Sequence, residues 1–224
     1  MRILKYSLSL VLVGCFGLSS FAQDKFAFWK KDREYAENSV SINISGPIPG
    51  GGLAFGHQVS KKTTFVAFYG QAQEIEFSGD DLEIGDLDGN NEIAFTGKFG
   101  DENNSSSWAG GILQYRPFEK AQGVRLAAGA GVGRLSGTLQ DPDQNSYQIT
   151  GGGPFVFLGA GYGLRPVKGL QLGFDIGLIR LPGFDVNTNS VSTPNSINRS
   201  ENIRREFNSA PYIPNAQITI GWGF

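Results

Sequence analysis

The chain ends in Ala216-Gln217-Ile218-Thr219-Ile220-Gly221-Trp222-Gly223-Phe224. Successive side chains of a β-strand point to opposite faces. One face of this stretch therefore carries alanine, two isoleucines, tryptophan and phenylalanine, and the other carries glutamine, threonine and two glycines. An apolar row that ends in aromatic rings, backed by small and polar residues, is typical of a strand with lipid on its outer face. The stretch therefore predicts a membrane-facing strand.

The first 22 residues have the pattern of a secretory signal peptide. Arg2 and Lys5 form a basic region, residues 6–18 are mostly apolar, and Ser20-Phe21-Ala22 places small residues where a signal peptidase cuts. We expect 1–22 to be removed, 23–37 to be a periplasmic lead-in, and 38–224 to form the barrel domain. The alternative of a lipoprotein signal, with Cys15 lipidated, stays open because Leu12-Val13-Gly14-Cys15 loosely fits a lipid-attachment box.

Composition excludes several classes of protein. The single cysteine, Cys15, lies within the predicted signal peptide, so disulfides and zinc–thiolate sites are excluded from the mature chain. The net charge of −2 is not that of a nucleic-acid-binding protein. Glycine is abundant, at 32 residues, but has no period of three, which excludes collagen.

Alternating segments recur along the chain and predict eight strands. They occupy about 38–46, 52–59, 64–77, 108–116, 123–137, 155–165, 169–181 and the closing stretch. Two of the predicted hairpins contain an Arg-Pro pair, at Arg116 and Arg165, where the first strand ends. Proline ends pairing there because it has no amide hydrogen to donate.

The connections alternate between short and long. The short links are 60–63, 117–122 and 166–169, and the long polar ones are 78–106, 138–152 and 182–213. This asymmetry is the signature of an outer-membrane barrel with short periplasmic turns and long external loops. A ten-stranded variant that uses residues 92–99 stays open.

The faces of the strands agree with this arrangement. Outward apolar rows are predicted in strands five to seven at 124–132, 156–164 and 170–178, on even numbers, with glycine and charge between them. Lipid favours this order, because a charge on the lipid-facing side near the midplane costs ~2–4 kcal/mol. A soluble ligand-binding barrel would have the opposite arrangement.

Charged residues fall on the predicted interior face. They are Arg116, Arg125, Arg165 and Asp175, with Glu74 and Glu76 nearer the loops. An eight-stranded lumen is only wide enough to be filled by side chains, so charges confined there must pair. We expect an ion-paired plug, and a narrow ion path lined by the same residues is the alternative.

His57 is the only histidine and would have to serve any histidine-dependent chemistry. Its parity places it on the lipid face near the periplasmic end of strand two, and no serine or carboxylate near it in sequence is an obvious partner. We expect a structural or interfacial histidine and no catalytic residue.

Two loops carry charges that could bind ligands. In residues 80–92, Asp86, Asp88 and Asn90 fit the first calcium-ligand positions, but the later glycine and glutamate are misplaced. We expect a solvated acidic loop, with a weak divalent site as the alternative. In the last long loop, Arg199, Arg204 and Arg205 could contact lipopolysaccharide phosphates or remain solvated.

Together, the signal peptide, eight alternating strands, loop asymmetry and terminal Phe224 resemble the small outer-membrane β-barrel family of OmpA-type and OmpX-type domains. The resemblance implies an all-β, eight-stranded antiparallel up-and-down barrel in the outer membrane. It also implies that the C-terminal strand is recognised by the barrel-assembly machinery, and that outer-membrane lipid and lipopolysaccharide surround the barrel.

For function, we expect a non-enzymatic protein without metal or cofactor that displays loops 78–106 and 182–213 for structural or surface interaction. The second hypothesis is a narrow pore for ions or small solutes. The third is a lipid-modifying enzyme. The ligand, the loop partner and the oligomeric state stay open.

Overall fold

The computed structural model describes residues 34–44, 50–72, 75–77, 83–85, 92–99, 106–118, 123–163, 167–188, 194–209 and 212–224. Residues 35–224 belong to one unit. The predicted signal peptide and residues 23–33 of the lead-in lie outside the described residues.

The elements, in chain order, are β1 (Asn38–Ile44), β2 (Gly50–Ser60), β3 (Thr63–Ala72), β4 (Ile75–Phe77), β5 (Glu83–Gly85), β6 (Glu92–Ala94), β7 (Thr96–Phe99), β8 (Ser107–Tyr115), β9 (Arg125–Gln140), β10 (Ser146–Gly163), β11 (Gly169–Arg180), β12 (Phe184–Thr188), α1 (Pro194–Ser209) and β13 (Tyr212–Gly223). No helix within the described ranges is both long and apolar enough to cross a membrane.

Eight strands close into an antiparallel barrel. Around the wall their order is β1-β2-β3-β8-β9-β10-β11-β13, and β13 pairs back with β1. The seam is completed by two backbone hydrogen bonds, in which the amide of Asn38 donates to the Phe224 carbonyl at 3.0 Å and the amide of Phe224 donates to the Asn38 carbonyl at 2.9 Å. The predicted eight-stranded up-and-down barrel is confirmed.

The outer face of the wall is apolar. Leu158, Val132 and Ile218 are 66%, 63% and 51% exposed, whereas their inward-facing neighbours are small, polar or buried aromatic residues. A soluble barrel would bury such residues inside. The predicted faces of strands five to eight are correct in the described residues, and the wall is suited to hydrocarbon rather than water.

All three predicted long loops contain regular structure instead, and 78–106 contains β5, β6 and β7. Residues 138–152, predicted as a loop, are mostly strand, because β9 and β10 continue as one ladder that turns only at 141–145. Residues 182–213 contain β12 and α1. Predicted strand three is also too long: β3 ends at Ala72, and Ile75–Phe77 is a separate strand paired with β7.

These extra elements form a cap on one end of the barrel. We use the name cap for β4–β7, the C-terminal end of β9 after Arg134, the N-terminal end of β10 before Gly152, β12 and α1. Within it, β7 pairs with the end of β9, and β12 pairs with the start of β10. The opposite end of the barrel carries the turns after β2, β8 and β10, and we call it the short-turn end.

The apolar face changes sides where the barrel meets the cap. On β9, outward Leu126 to Val132 is apolar, but beyond Arg134 the inward residues Leu135 and Leu139 are the buried apolar ones. The register is unbroken, so the side chains keep their directions while the polarity of the two faces reverses. This reversal marks the height at which lipid outside gives way to water.

Replacing Ile218 with arginine should destabilise the barrel in lipid. Ile218 lies near the middle of the outward row of β13, where arginine is expected to cost ~2–4 kcal/mol. The measurement is urea unfolding in phospholipid vesicles, with Ile218→Leu as the control of nearly equal volume. Equal stability of the two variants would contradict a lipid-facing position.

Candidate functional site

A buried ion pair crosses the lumen. The Arg125 guanidinium donates to Asp175 Oδ2 at 2.5 Å and to the Gly163 carbonyl at 2.7 Å, and the Arg125 side chain is fully buried. Gly161 lies between their strands, paired with both residues. A Cβ at Gly161 would overlap Asp175 Oδ1 and lie 2.7 Å from the Phe174 carbonyl oxygen. Glycine at 161 therefore leaves the space that the ion pair occupies.

Arg116 lies in the same lumen at the short-turn end. Its side chain is buried, and it donates to the Thr64 hydroxyl at 2.7 Å, while its amide donates to the Lys62 carbonyl at 2.8 Å. Of the predicted interior charges, the structure thus brings Arg116, Arg125 and Asp175 into one region. Arg165 and Glu74 lie outside the described residues, as does the side chain of Glu76.

Aromatic rings fill much of the remaining lumen, and each lies over a glycine of a neighbouring strand. A Cβ at Gly70 would meet Trp108 at 2.5 Å, one at Gly131 would meet Phe155 at 2.7 Å, and one at Gly177 would meet Phe157 at 2.6 Å. Phe155 and Phe157 are each only 4% exposed. The lumen glycines therefore accommodate rings.

A cavity of about 80 Å³ remains within the lumen, and residues from all eight barrel strands line it. Its lining extends from Ala36, just before β1, to Asn43 near the end of that strand, and includes Ser39 and Ser41. Oδ1 of Asn215, a buried residue that also lines it, makes no hydrogen bond to protein. Polar and apolar side chains both line the cavity, and it has room for several waters.

The described end of the lead-in, residues 34–37, contacts the short-turn end of the barrel. The backbone of Tyr35 forms a bridge with Val167 in the turn after β10, and its hydroxyl donates to the Ser60 carbonyl at 2.9 Å. Ala36 is 3% exposed and lines the cavity described above. The described end of the lead-in thus packs into the barrel at this end.

The cap has an apolar core that is continuous with the buried rings of the lumen. Leu139, Tyr147, Ile149 and Ile203 are fully buried in it, and the Phe95 ring meets Tyr147 edge-on with centroids 6.1 Å apart. Residues of β9, β10 and α1 belong to the same cluster. The cap is therefore a folded structure rather than a set of solvated loops.

Asp141 joins the tip of the β9–β10 hairpin to the helix. Its carboxylate accepts hydrogen bonds from the Asn145 amide at 2.8 Å, the Tyr147 hydroxyl at 2.8 Å and the Arg199 guanidinium at 2.6 Å. Arg199 also pairs with Asp143 at 2.6 Å. Burial disfavours the charged carboxylate, but together the hydrogen bonds from Asn145, Tyr147 and Arg199 outweigh it and lower the pKa of Asp141.

The C-terminal part of α1 is held by a second contact. The Asn208 side chain accepts from the Phe184 amide at 2.8 Å and donates to the Phe184 carbonyl at 2.9 Å. The ring of Phe184 packs against Phe207, with centroids 5.4 Å apart. Bonds at Arg199 and Asn208, with Ile203 buried between them, fix the helix on the cap.

The other predicted site residues are placed as follows. His57 is exposed on the outer face and shares a 2.9 Å hydrogen bond with the Asn38 side chain, as an interfacial histidine would. Arg204 pairs with Glu201 on the exposed face of α1, and Arg205 donates to Asn202. Asp86, Asp88 and Asn90 lie outside the described residues, and no metal-ligand cluster occurs among the residues that are described.

Sequence reasoning missed the cap. One signal was present, since Pro194 is a favoured first residue of a helix and Ile203 and Phe207 are four residues apart. The alternation of Leu135 with Leu139, and of Tyr147 with Ile149, also continued the strand pattern. For Arg199 the sequence left a lipopolysaccharide contact or a solvated position open, whereas the structure places it in ion pairs with Asp141 and Asp143.

Several solved structures share this fold. Acinetobacter baumannii CarO matches with a TM-score of 0.55 at 14% identity, over 87% of this chain and 100% of that one. A second structure, A. baumannii CarO2, matches with a TM-score of 0.50 at 16% identity, over 85% of this chain and 100% of that one. A major outer membrane protein from Thermus thermophilus matches with the same score, identity and coverage.

The chain has the fold of a small outer-membrane β-barrel. At these identities the likeness concerns the fold of such barrels and not their activities. No protein-family model matches the sequence, and no curated protein matches it significantly.

Removing the Asp141 carboxylate should loosen the cap and leave the barrel intact. Asp141→Ala removes a buried acceptor from three donors, and a hydrogen bond to a charged group contributes ~1.5–3 kcal/mol. Limited proteolysis in detergent should therefore cut the cap of the variant faster. Arg204→Ala, which removes an exposed pair, is the matched control and should behave like the unchanged protein.

The same contact gives a pH dependence. Because the pKa of Asp141 is lowered on folding, its contribution is complete above the ordinary aspartate pKa of about 4 and is lost as the pH falls through the lower folded value. Proteolysis of the cap by an acid-active protease should accelerate below about pH 4. This acceleration should be absent in Asp141→Ala, and an equal pH response in both proteins would contradict the assignment.

Proposed function

We propose that the protein is an integral outer-membrane β-barrel that performs no catalysis and presents its folded cap outside the cell as an interaction surface. The observation that carries this proposal is the cap itself, which has a buried core and two polar contacts that hold a helix in place. Such a fixed surface suits recognition, because a preorganised surface loses little conformational entropy on binding.

The arrangement of the lumen supports an anchoring role for the barrel. The Arg125–Asp175 ion pair and the rings of Phe155 and Phe157 occupy positions that a wide channel would leave open. The apolar wall and the closed ladder satisfy what a bilayer requires of a spanning chain. The barrel would thus hold the cap at the surface.

Several partners follow as further parts of the proposal. Delivery to the outer membrane would use the signal peptide 1–22. The assembly machinery would bind the C-terminal strand, where the exposed Phe224 side chain lies beside the seam with β1. Outer-membrane lipid and lipopolysaccharide would surround the wall, and no nucleic acid partner is expected.

A narrow pore is the second candidate, and the lumen cavity favours it. Polar residues line that cavity along β1, from Ser39 to Asn43. A path of this width would pass water or small ions rather than solutes of metabolite size.

Labelling on intact cells tests the exposed position of the cap. A cysteine replacing Ile197, which is 53% exposed on α1, should react with a membrane-impermeant maleimide. A cysteine replacing Lys61, in the turn after β2 at the opposite end, should react only after the outer membrane is permeabilised. The reverse pattern would contradict the proposed orientation, and a lack of heat-dependent SDS mobility would contradict the barrel.

Planar-bilayer recording separates the anchor from the pore. We expect no conductance steps from the unchanged protein, because rings and an ion pair occupy its lumen. Phe157→Ala should introduce small steps by removing a buried ring, whereas Phe65→Ala on the outer face should not. Regular steps from the unchanged protein would overturn the anchor in favour of the pore.

A further inference from the structure

Two arginines are the only charged side chains on the outward face of the eight barrel strands within the described residues. Arg134 lies on β9 and Arg180 on β11, and both are exposed. Neither guanidinium takes part in an ion pair within the described part of the chain. Both therefore place a positive charge on a wall that is otherwise uncharged in these residues.

Both arginines lie at one edge of the apolar band. On β11 the outward row begins at Leu170, and Arg180 follows ten positions later. At ~3.3 Å per residue and a tilt of ~40°, these positions span about 25 Å, the usual height of the apolar band of such barrels. The register supports this, since Leu170 pairs with Trp222 at one edge and Arg180 with Tyr212 at the other.

The reversal of polarity gives the same height independently. Arg134 follows the last outward apolar residue of β9, Val132, and precedes Leu135, the first buried residue of the cap core on that strand. An arginine is tolerated near the interface but strongly disfavoured at the midplane. Both residues therefore lie where lipid headgroups meet the wall.

Only β10 separates the strands of the two arginines. On that strand Arg134 pairs with Gly152 and Arg180 pairs with Val156, four residues further along. Two strand spacings across and four residues along the strand place the two Cα atoms about 16 Å apart. Two long side chains at this separation can reach two phosphate groups of one lipid.

The wall between the two arginines carries small side chains. The residues of β10 there are Gly152, Gly153 and Pro154, and Gly153 has a positive φ of 114°. These short residues leave room for a headgroup beside the wall. Arg180 is further positioned by the Tyr212 ring, whose centroid lies 5.8 Å from the guanidinium carbon.

We propose that Arg134 and Arg180 bind the phosphate groups of an outer-leaflet lipid whose acyl chains lie along the apolar wall below them. Guanidinium groups match phosphate oxygens in geometry and charge. The phosphates are assigned to a lipid rather than to free phosphate because the site is continuous with the apolar band and lies below the cap. The inference rests on the proposed outer-membrane location and assigns a lipid site to particular residues.

The test uses the folded full-length barrel in neutral detergent, titrated with lipid A that carries its phosphates and, separately, with dephosphorylated lipid A. Bound lipid is counted by native mass spectrometry. The variant is Arg134→Gln with Arg180→Gln. The matched control is Arg204→Gln with Arg205→Gln, which removes two arginines from α1 on the cap.

We expect the Arg134/Arg180 variant to bind phosphorylated lipid A roughly 25-fold more weakly, or about fivefold for each arginine. The control should remain within about twofold of the unchanged protein. Replacing both wall arginines by lysine should restore part of the affinity, because the charge returns without the planar fork. Dephosphorylated lipid A should bind weakly to all four proteins.

Equal affinity of the unchanged protein and the Arg134/Arg180 variant would overturn the site, as would an equal loss in the control. The mobility of unheated and heated samples in SDS is measured in parallel. A heat-dependent shift without lipid selectivity contradicts the lipid site alone. Absence of the shift in the unchanged protein contradicts the membrane barrel, and the lipid site with it.

Discussion

The hydrocarbon of a membrane offers no water to an unpaired amide, so a strand that crosses it must pair on both edges. The rest of this structure depends on that constraint. Eight strands satisfy it by closing, and the reciprocal bonds between Asn38 and Phe224 complete the seam between the first and last of them. Once the ladder is closed, alternation fixes the direction of each side chain. The apolar wall, the lumen and the cap follow from that single register.

The long β9–β10 hairpin passes from lipid into water without a change of strand register. Below Arg134 the outward side chains meet lipid and the inward ones form the lumen, and above it the inward side chains form the core of the cap. The hairpin is thus continuous between wall and cap. A helix fixed by Arg199 and Asn208 then gives the cap a defined surface, while rings packed over glycines fill the lumen beneath it.

Sequence alone predicts the wall well, because lipid on one side and a narrow lumen on the other force a period of two. The rows at Leu170–Leu178 and Ile218–Phe224 carry that signal over their full length. The cap was missed because its outward residues are polar on strands that no longer face lipid. The bond from Asp141 to Arg199 joins residues 58 positions apart, and the Arg125–Asp175 pair spans 50, so local patterns do not reveal either contact. For the lumen, the sequence indicated which charges face inward but not which would pair.

The outward direction of the apolar face is tested most directly by a scan of lipid contact along the closing strand. Single cysteines placed at 217, 218, 219 and 220 would carry a fluorophore, and a quencher confined to the acyl chains of the vesicles would report contact with lipid. We expect strong quenching at 218 and 220 and weak quenching at 217 and 219. Uniform quenching, or the opposite alternation, would contradict a barrel whose apolar face is turned outward.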